Sequence, residues 1–160
     1  DGVQRLAEGL GAGALPAVHW LTLSMHMSDA GALALAAALG RGALTRLKLL
    51  LLSRCGIGDA GLVALAPALR RLPELNTLIF RENSFGDEGL AALVAPPLAA
   101  GAVPPTTGGL EKLTMLTITF AQVTDAGCAA LAVALDSGAL PALETLDLYG
   151  IPATPPVPRR

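Results

Sequence analysis

The chain is poor in the groups that do chemistry. Of its 160 residues three are Phe, one is Trp, one is Tyr, two are Cys and two are His, and only 15% are charged. The two cysteines, Cys55 and Cys128, exclude the disulfide framework of a small secreted scaffold, and no Cys-x-x-Cys spacing exists to hold a metal. His19 and His26 lack a Ser, Cys or Asp partner at a catalytic or metal-binding spacing. No Gly-x-x-x-x-Gly-Lys phosphate loop occurs. A net charge of −2 leaves no cationic footprint for nucleic acid or an acidic membrane. The uncharged stretch 89–110 is broken by Pro96, Pro97, Pro104 and Pro105, and 9–28 carries His19, Trp20 and His26, so neither reads as a spanning helix.

What is abundant is leucine (32 residues), alanine (30) and glycine (18), and it is arranged in a repeat. Aligned on Leu15, Leu44, Leu72, Leu110 and Leu140, every unit has an apolar residue three positions on: Val18, Leu47, Leu75, Leu113 or Leu143. Leu21, Leu50, Leu78, Leu116 and Leu146 follow, and two residues later come Leu23, Leu52, Phe80, Ile118 and Leu148. The second half of the unit carries Asp-any-Gly at Asp29/Gly31, Asp59/Gly61, Asp87/Gly89 and Asp125/Gly127, followed by leucines such as Leu35/Leu39, Leu65/Leu69 and Leu131/Leu135. Alternating Leu-any-Leu is a strand signal, and leucines four apart behind an Asp are the stripe of a short helix with an N-cap. Each unit is therefore strand, turn, helix, and the helix supplies the crossover that parallel strands require. The sequence opens in the helical half of a repeat, as expected of a cut within one.

Leu50, Leu52, Cys55, Ile57, Asp59, Gly61, Leu65 and Leu69 resemble the ribonuclease-inhibitor-like class of leucine-rich repeats, and Leu78, Phe80, Asn83, Phe85, Asp87, Gly89 and Leu93 resemble it equally well. The resemblance implies an α/β leucine-rich-repeat solenoid. Its form is a right-handed β-α superhelix, a horseshoe arc with five parallel strands on the concave side and short helices on the convex side. The repeat domain is expected over 1–151, with repeats starting near 15, 44, 72, 110 and 140, a partial repeat at 1–14, a loop insertion at 95–109 and a Pro-rich tail at 152–160. The class usually places Asn or Cys at the turn leaving each strand; Asn83 and Cys55 comply, whereas Ala121 and Ile151 do not, and Met25 or His26 stands there in the first repeat, which is one residue short. The first and fourth turns should be less well held than the middle two.

The aspartates read as N-caps of their helices and not as a carboxylate row for metal or acid-base work. Cys55 and Cys128 read as core cysteines too far apart to bridge. With the leucines of Leu-any-Leu turned inward, the concave face carries Trp20, Thr22 and Ser24; Leu49, Leu51 and Ser53; Thr77, Ile79 and Arg81; Met115, Thr117 and Thr119; Thr145, Asp147 and Tyr149. Such an apolar, Thr-rich face points to binding another protein, without cofactor, metal or catalytic residue, through Trp20, Thr22, Leu49, Leu51, Thr77, Ile79, Arg81, Met115, Thr117, Asp147 and Tyr149. The 95–109 loop is a second place where a partner could dock. No nucleic acid or membrane partner is expected, self-association through an uncovered terminal repeat is, and the expected compartment is the reducing cytoplasm. Two other readings follow from the same resemblance: a regulator of a small GTPase, like the Ran GTPase-activating proteins, or a structural segment of a larger receptor or ubiquitin-ligase adaptor.

Overall fold

Each Leu-any-Leu pair extends because one side chain in two can be buried, and each small-residue stretch after an Asp coils because leucines four apart share a face. The computed structural model describes residues 2–13, 15–94 and 110–153. Along the chain lie α1 (Gly2–Gly11), β1 (Trp20–Leu23), α2 (Ser28–Gly40), β2 (Leu49–Ser53), α3 (Asp59–Arg70), β3 (Thr77–Arg81), α4 (Asp87–Val94), β4 (Met115–Thr119), α5 (Asp125–Asp136) and β5 (Thr145–Asp147). The strands form one parallel sheet in the order β1-β2-β3-β4-β5, and each helix packs on the next. A helix with its side chains is wider than a strand, so such a row bends with the sheet on the inner side. The expected insertion at 95–109 lies outside the described residues, as do residues 154–160 of the tail.

The core fills the space between sheet and helices. Leu50, Leu78 and Leu116 are fully buried from the strands, as are Leu52, Phe80 and Ile118, and Leu62, Leu65, Leu90 and Leu93 meet them from the helices. Burying one such side chain contributes about 1.5–3 kcal/mol. Phe80 and Phe85 meet edge to face, with ring centres 5.4 Å apart at 76°. Cys55 is fully buried and Cys128 only half so; both are free thiols, and Cys128 belongs to the margin of the core because α5 has no further helix against it among the described residues.

Asp29, Asp59 and Asp87 cap helices, but not their own. Asp29 Oδ1 accepts the amides of Gly58 (2.7 Å) and Gly61 (3.1 Å) in the next repeat. Asp59 Oδ1 accepts those of Gly86 (2.8 Å) and Gly89 (2.7 Å). Asp87 takes the Thr124 amide (2.7 Å) and the Thr124 hydroxyl (2.6 Å). None of α2, α3 and α5 has a side-chain cap from its own flanking residue. This explains the pairing of Asp with Gly: a Cβ at Gly61 would run into Asp29 Oδ1, and one at Gly127 into Asp87 Oδ1. The glycine column makes room for the carboxylate of the preceding repeat. At the other end of α4, the Arg70 guanidinium of α3 donates to the Ala92 carbonyl in the last helical turn.

The turns leaving the strands are held unequally. Buried Asn83 accepts the amides of Cys55 (3.1 Å) and Ile57 (3.3 Å) through Oδ1 and donates through Nδ2 to the carbonyls of Leu52 (2.8 Å) and Arg81 (3.2 Å). Cys55 performs only the donor half of that role, its thiol lying 3.4 Å from the carbonyls of Leu23 and Ser53. Ala121, buried at the same place in the fourth repeat, has no polar group to offer. In the shortened first repeat Met27 is buried four residues before Gly31, as Ile57 is before Gly61 and Phe85 before Gly89, and Ser28 beside it holds a φ of 59°.

Asn83→Ala leaves two buried amides without an acceptor and should lower the urea-measured unfolding free energy by about 3 kcal/mol, against about 1 kcal/mol for Asp59→Ala. The Thr124 hydroxyl, followed by the Thr124 and Gly127 amides, holds the Asp87 carboxyl below its ordinary value. A depressed folded-state value means that the stabilisation is complete above the unfolded value and is lost as pH falls through the folded one. Asp87→Asn should therefore flatten the loss of stability below about pH 4, read as urea midpoints on acidification.

Candidate binding face

Alternation along each strand sends every second residue away from the core, and the parallel register stacks these residues into rows. One row runs Trp20, Leu49, Thr77, Met115, Thr145, and the next Thr22, Leu51, Ile79, Thr117, Asp147. A third passes through Ser53, Arg81 and Thr119. Tyr149 lies two residues beyond β5, where its carbonyl accepts the Phe120 amide (3.1 Å) and its own amide donates to Asp147 Oδ1 (3.1 Å). All eleven residues expected on the face thus belong to one side of the sheet or its margin.

Exposure across that face is uneven. Trp20 is 77% exposed and Tyr149 71%, at opposite ends of the sheet. Thr22, Arg81, Met115 and Asp147 are exposed, while Leu49, Leu51, Thr77, Ile79 and Thr117 are half-buried by their neighbours in the rows. Thr119, expected on the exposed face, is buried, and its hydroxyl has no hydrogen-bond partner. It sits in register with Arg81 and directly precedes Phe120, whose amide donates to the Tyr149 carbonyl.

A fourth row lies just past the strands. Arg54, Glu82 and Phe120 hold φ values of 54°, 51° and 55°, and Gly150, four residues after its own strand leucine as they are, holds 73°. Left-handed backbone costs a side chain about 1–2 kcal/mol. Their amides continue the ladder, Arg54 to Arg81, Glu82 to Thr119 and Phe120 to Tyr149. Arg54 grips Glu82 through two bonds (2.8 and 3.0 Å), which together with the nearby Arg81 charge holds the Glu82 carboxyl below its usual range. Phe120 meets Tyr149 edge to face at 5.5 Å and packs over Gly150. A shallow groove of about 590 Å³ lies here between Glu82, Phe120 and Gln122. The expected site residues did not include Phe120 and Glu82. The available signal was Gly150, whose presence in that column marks left-handed backbone.

At the opposite end of the strands Val18, His19, Trp20 and Lys48 line a groove of about 360 Å³. Among the described residues no three His, Cys, Asp or Glu are grouped to hold a metal ion, and no helix is long and apolar enough to cross a membrane.

A family profile described as Leucine Rich repeat matches residues 44–66 and 73–94. No curated protein matches the chain in sequence. Among the solved structures that match is one titled Leiomodin-1 Actin-Binding Site 2 (ABS2), at 15% identity and a TM-score of 0.60, the match covering 92% of this chain and 77% of that one. At that identity the likeness is one of fold.

Thr119→Val exchanges a buried, unpartnered hydroxyl for a methyl group of the same shape and should raise the urea-measured unfolding free energy by about 1 kcal/mol.

Proposed function

The chain is a leucine-rich-repeat protein, and from that premise we propose that it is a non-catalytic interaction module whose sheet face binds another protein. The observation that carries this is the face itself: Leu49, Leu51, Ile79 and Met115 form an apolar strip, and the most exposed aromatic side chains, Trp20 and Tyr149, stand at its two ends. Exposed Trp and Tyr are the residues that most often anchor interfaces. Their positions are set by parallel strands, so little conformational freedom is lost on binding.

Within this reading the repeats are of the ribonuclease-inhibitor-like class, the domain runs over 1–151, and the free thiols Cys55 and Cys128 suit a reducing, cytoplasmic setting. The β5 edge adds a place for a further repeat or a second copy to pair: Leu146 is 36% exposed, whereas its counterparts Leu50, Leu78 and Leu116 are fully buried. The fold neighbour's title names actin binding, which makes actin the first partner to try.

Trp20→Ala and Tyr149→Ala should each weaken binding to actin, or to a partner captured and identified, by roughly tenfold or more while leaving the circular dichroism spectrum unchanged. Leu33→Ala, on the exposed side of α2, should leave binding unaltered. Equal affinity of all three variants and the parent chain would overturn the sheet-face reading.

A further inference from the structure

We propose that the Trp20 corner of the sheet takes an acidic segment of the partner, an Asp or Glu side chain next to an apolar one. The proposal rests on the sheet face being the binding surface and assigns a chemistry to one end of it. The groove at this corner is lined by half-buried Val18 and by exposed His19, Trp20 and Lys48. Lys48 is fixed at its root and free at its head. Its amide donates to the His19 carbonyl (2.7 Å), and its carbonyl accepts the amides of Asn76 (2.9 Å) and Thr77 (3.0 Å). The ion pairs among the described residues join Arg54 to Glu82 and Lys112 to Glu74, and neither involves Lys48. An exposed cation on a rigid base, beside an indole and with no carboxylate of its own, is complementary to an acidic side chain whose apolar neighbour covers the ring.

The rest of the face gives this complementarity a direction. The residues just before the strands are joined amide to carbonyl in the series His19, Lys48, Asn76, Thr114, Glu144. The charged members of that row are Lys48, ahead of β2, and Glu144, ahead of β5, and Asp147 of β5 is also exposed. Four strand spacings separate the ends, about 19 Å. A carboxylate on the partner is drawn to the Trp20 corner and repelled from the β5 edge. A nucleic-acid strand, a uniform polyanion, would gain at Lys48 and lose at Glu144 and Asp147, so the layout favours a protein segment.

Trp20 is the sole tryptophan of the chain, so its fluorescence reports on this corner directly. The full chain would be titrated with three probes: a capped heptapeptide of glutamates and leucines, the same peptide with lysines for glutamates, and a ten-nucleotide oligothymidylate. Saturable change of Trp20 emission is expected with the glutamate peptide only, weakened by added salt. Lys48→Glu should reduce that affinity roughly tenfold, Lys48→Gln by less, and Asp147→Lys should not reduce it. The proposal is overturned by no saturable change with the glutamate peptide, by equal or tighter binding of the lysine peptide or the oligothymidylate, or by affinity unaltered in Lys48→Glu. Any of these, obtained while Trp20→Ala still weakens capture of the partner, removes the acidic-segment assignment and leaves the sheet-face reading standing. Loss of both results removes the two together.

Discussion

The carboxylate that reaches from one repeat to the helix start of the next is the interaction on which the rest of the structure depends. A helix begins with amides that have no partner inside it, and here those amides are satisfied by an aspartate one repeat back: Asp29 for Gly58 and Gly61, Asp59 for Gly86 and Gly89, Asp87 for Thr124. The bond sets the spacing between helices, and it demands a residue without Cβ where the carboxylate arrives, as at Gly61 and Gly127. Asn83 performs the same service at the strand ends, tying the carbonyl of Leu52 and the amides of Cys55 and Ile57 to its own turn. A repeat is thus completed by its neighbour, which is why stability in such a stack is a property of adjacent pairs.

Because the repeats are locked in register, residues far apart in the chain become neighbours on one surface. Trp20, Leu49, Thr77, Met115 and Thr145 fall in a row although more than a hundred residues separate the first from the last. The same locking places strained backbone in a line: Arg54, Glu82 and Phe120 share left-handed φ values because each begins an equivalent turn. Their side chains, and the aromatic pair of Phe120 with Tyr149, lie along the margin of the face proposed to meet a partner. Exposure of Leu146 beside the full burial of Leu50, Leu78 and Leu116 marks where the stacking of described repeats stops.

The strands, the helices and their order were legible from leucine spacing alone, since period two and period four separate extended from helical segments without reference to contacts. So was the side of the sheet on which Trp20, Arg81, Asp147 and Tyr149 stand, because alternation is a property of the strand itself. The sequence also marked the Asp and Gly columns, yet assigned each aspartate to its own helix, since a cap from the same chain segment and one from a repeat earlier have the same spacing when the motif is periodic. Only the tertiary structure decided that the bond crosses between repeats. It alone showed that Thr119 is buried beside Arg81, and that Lys48 joins Val18, His19 and Trp20 in a groove while Arg54 is taken up by Glu82. Periodicity specifies which way a side chain points; what it meets there depends on atoms from other repeats, and these are brought within reach only when the stack forms.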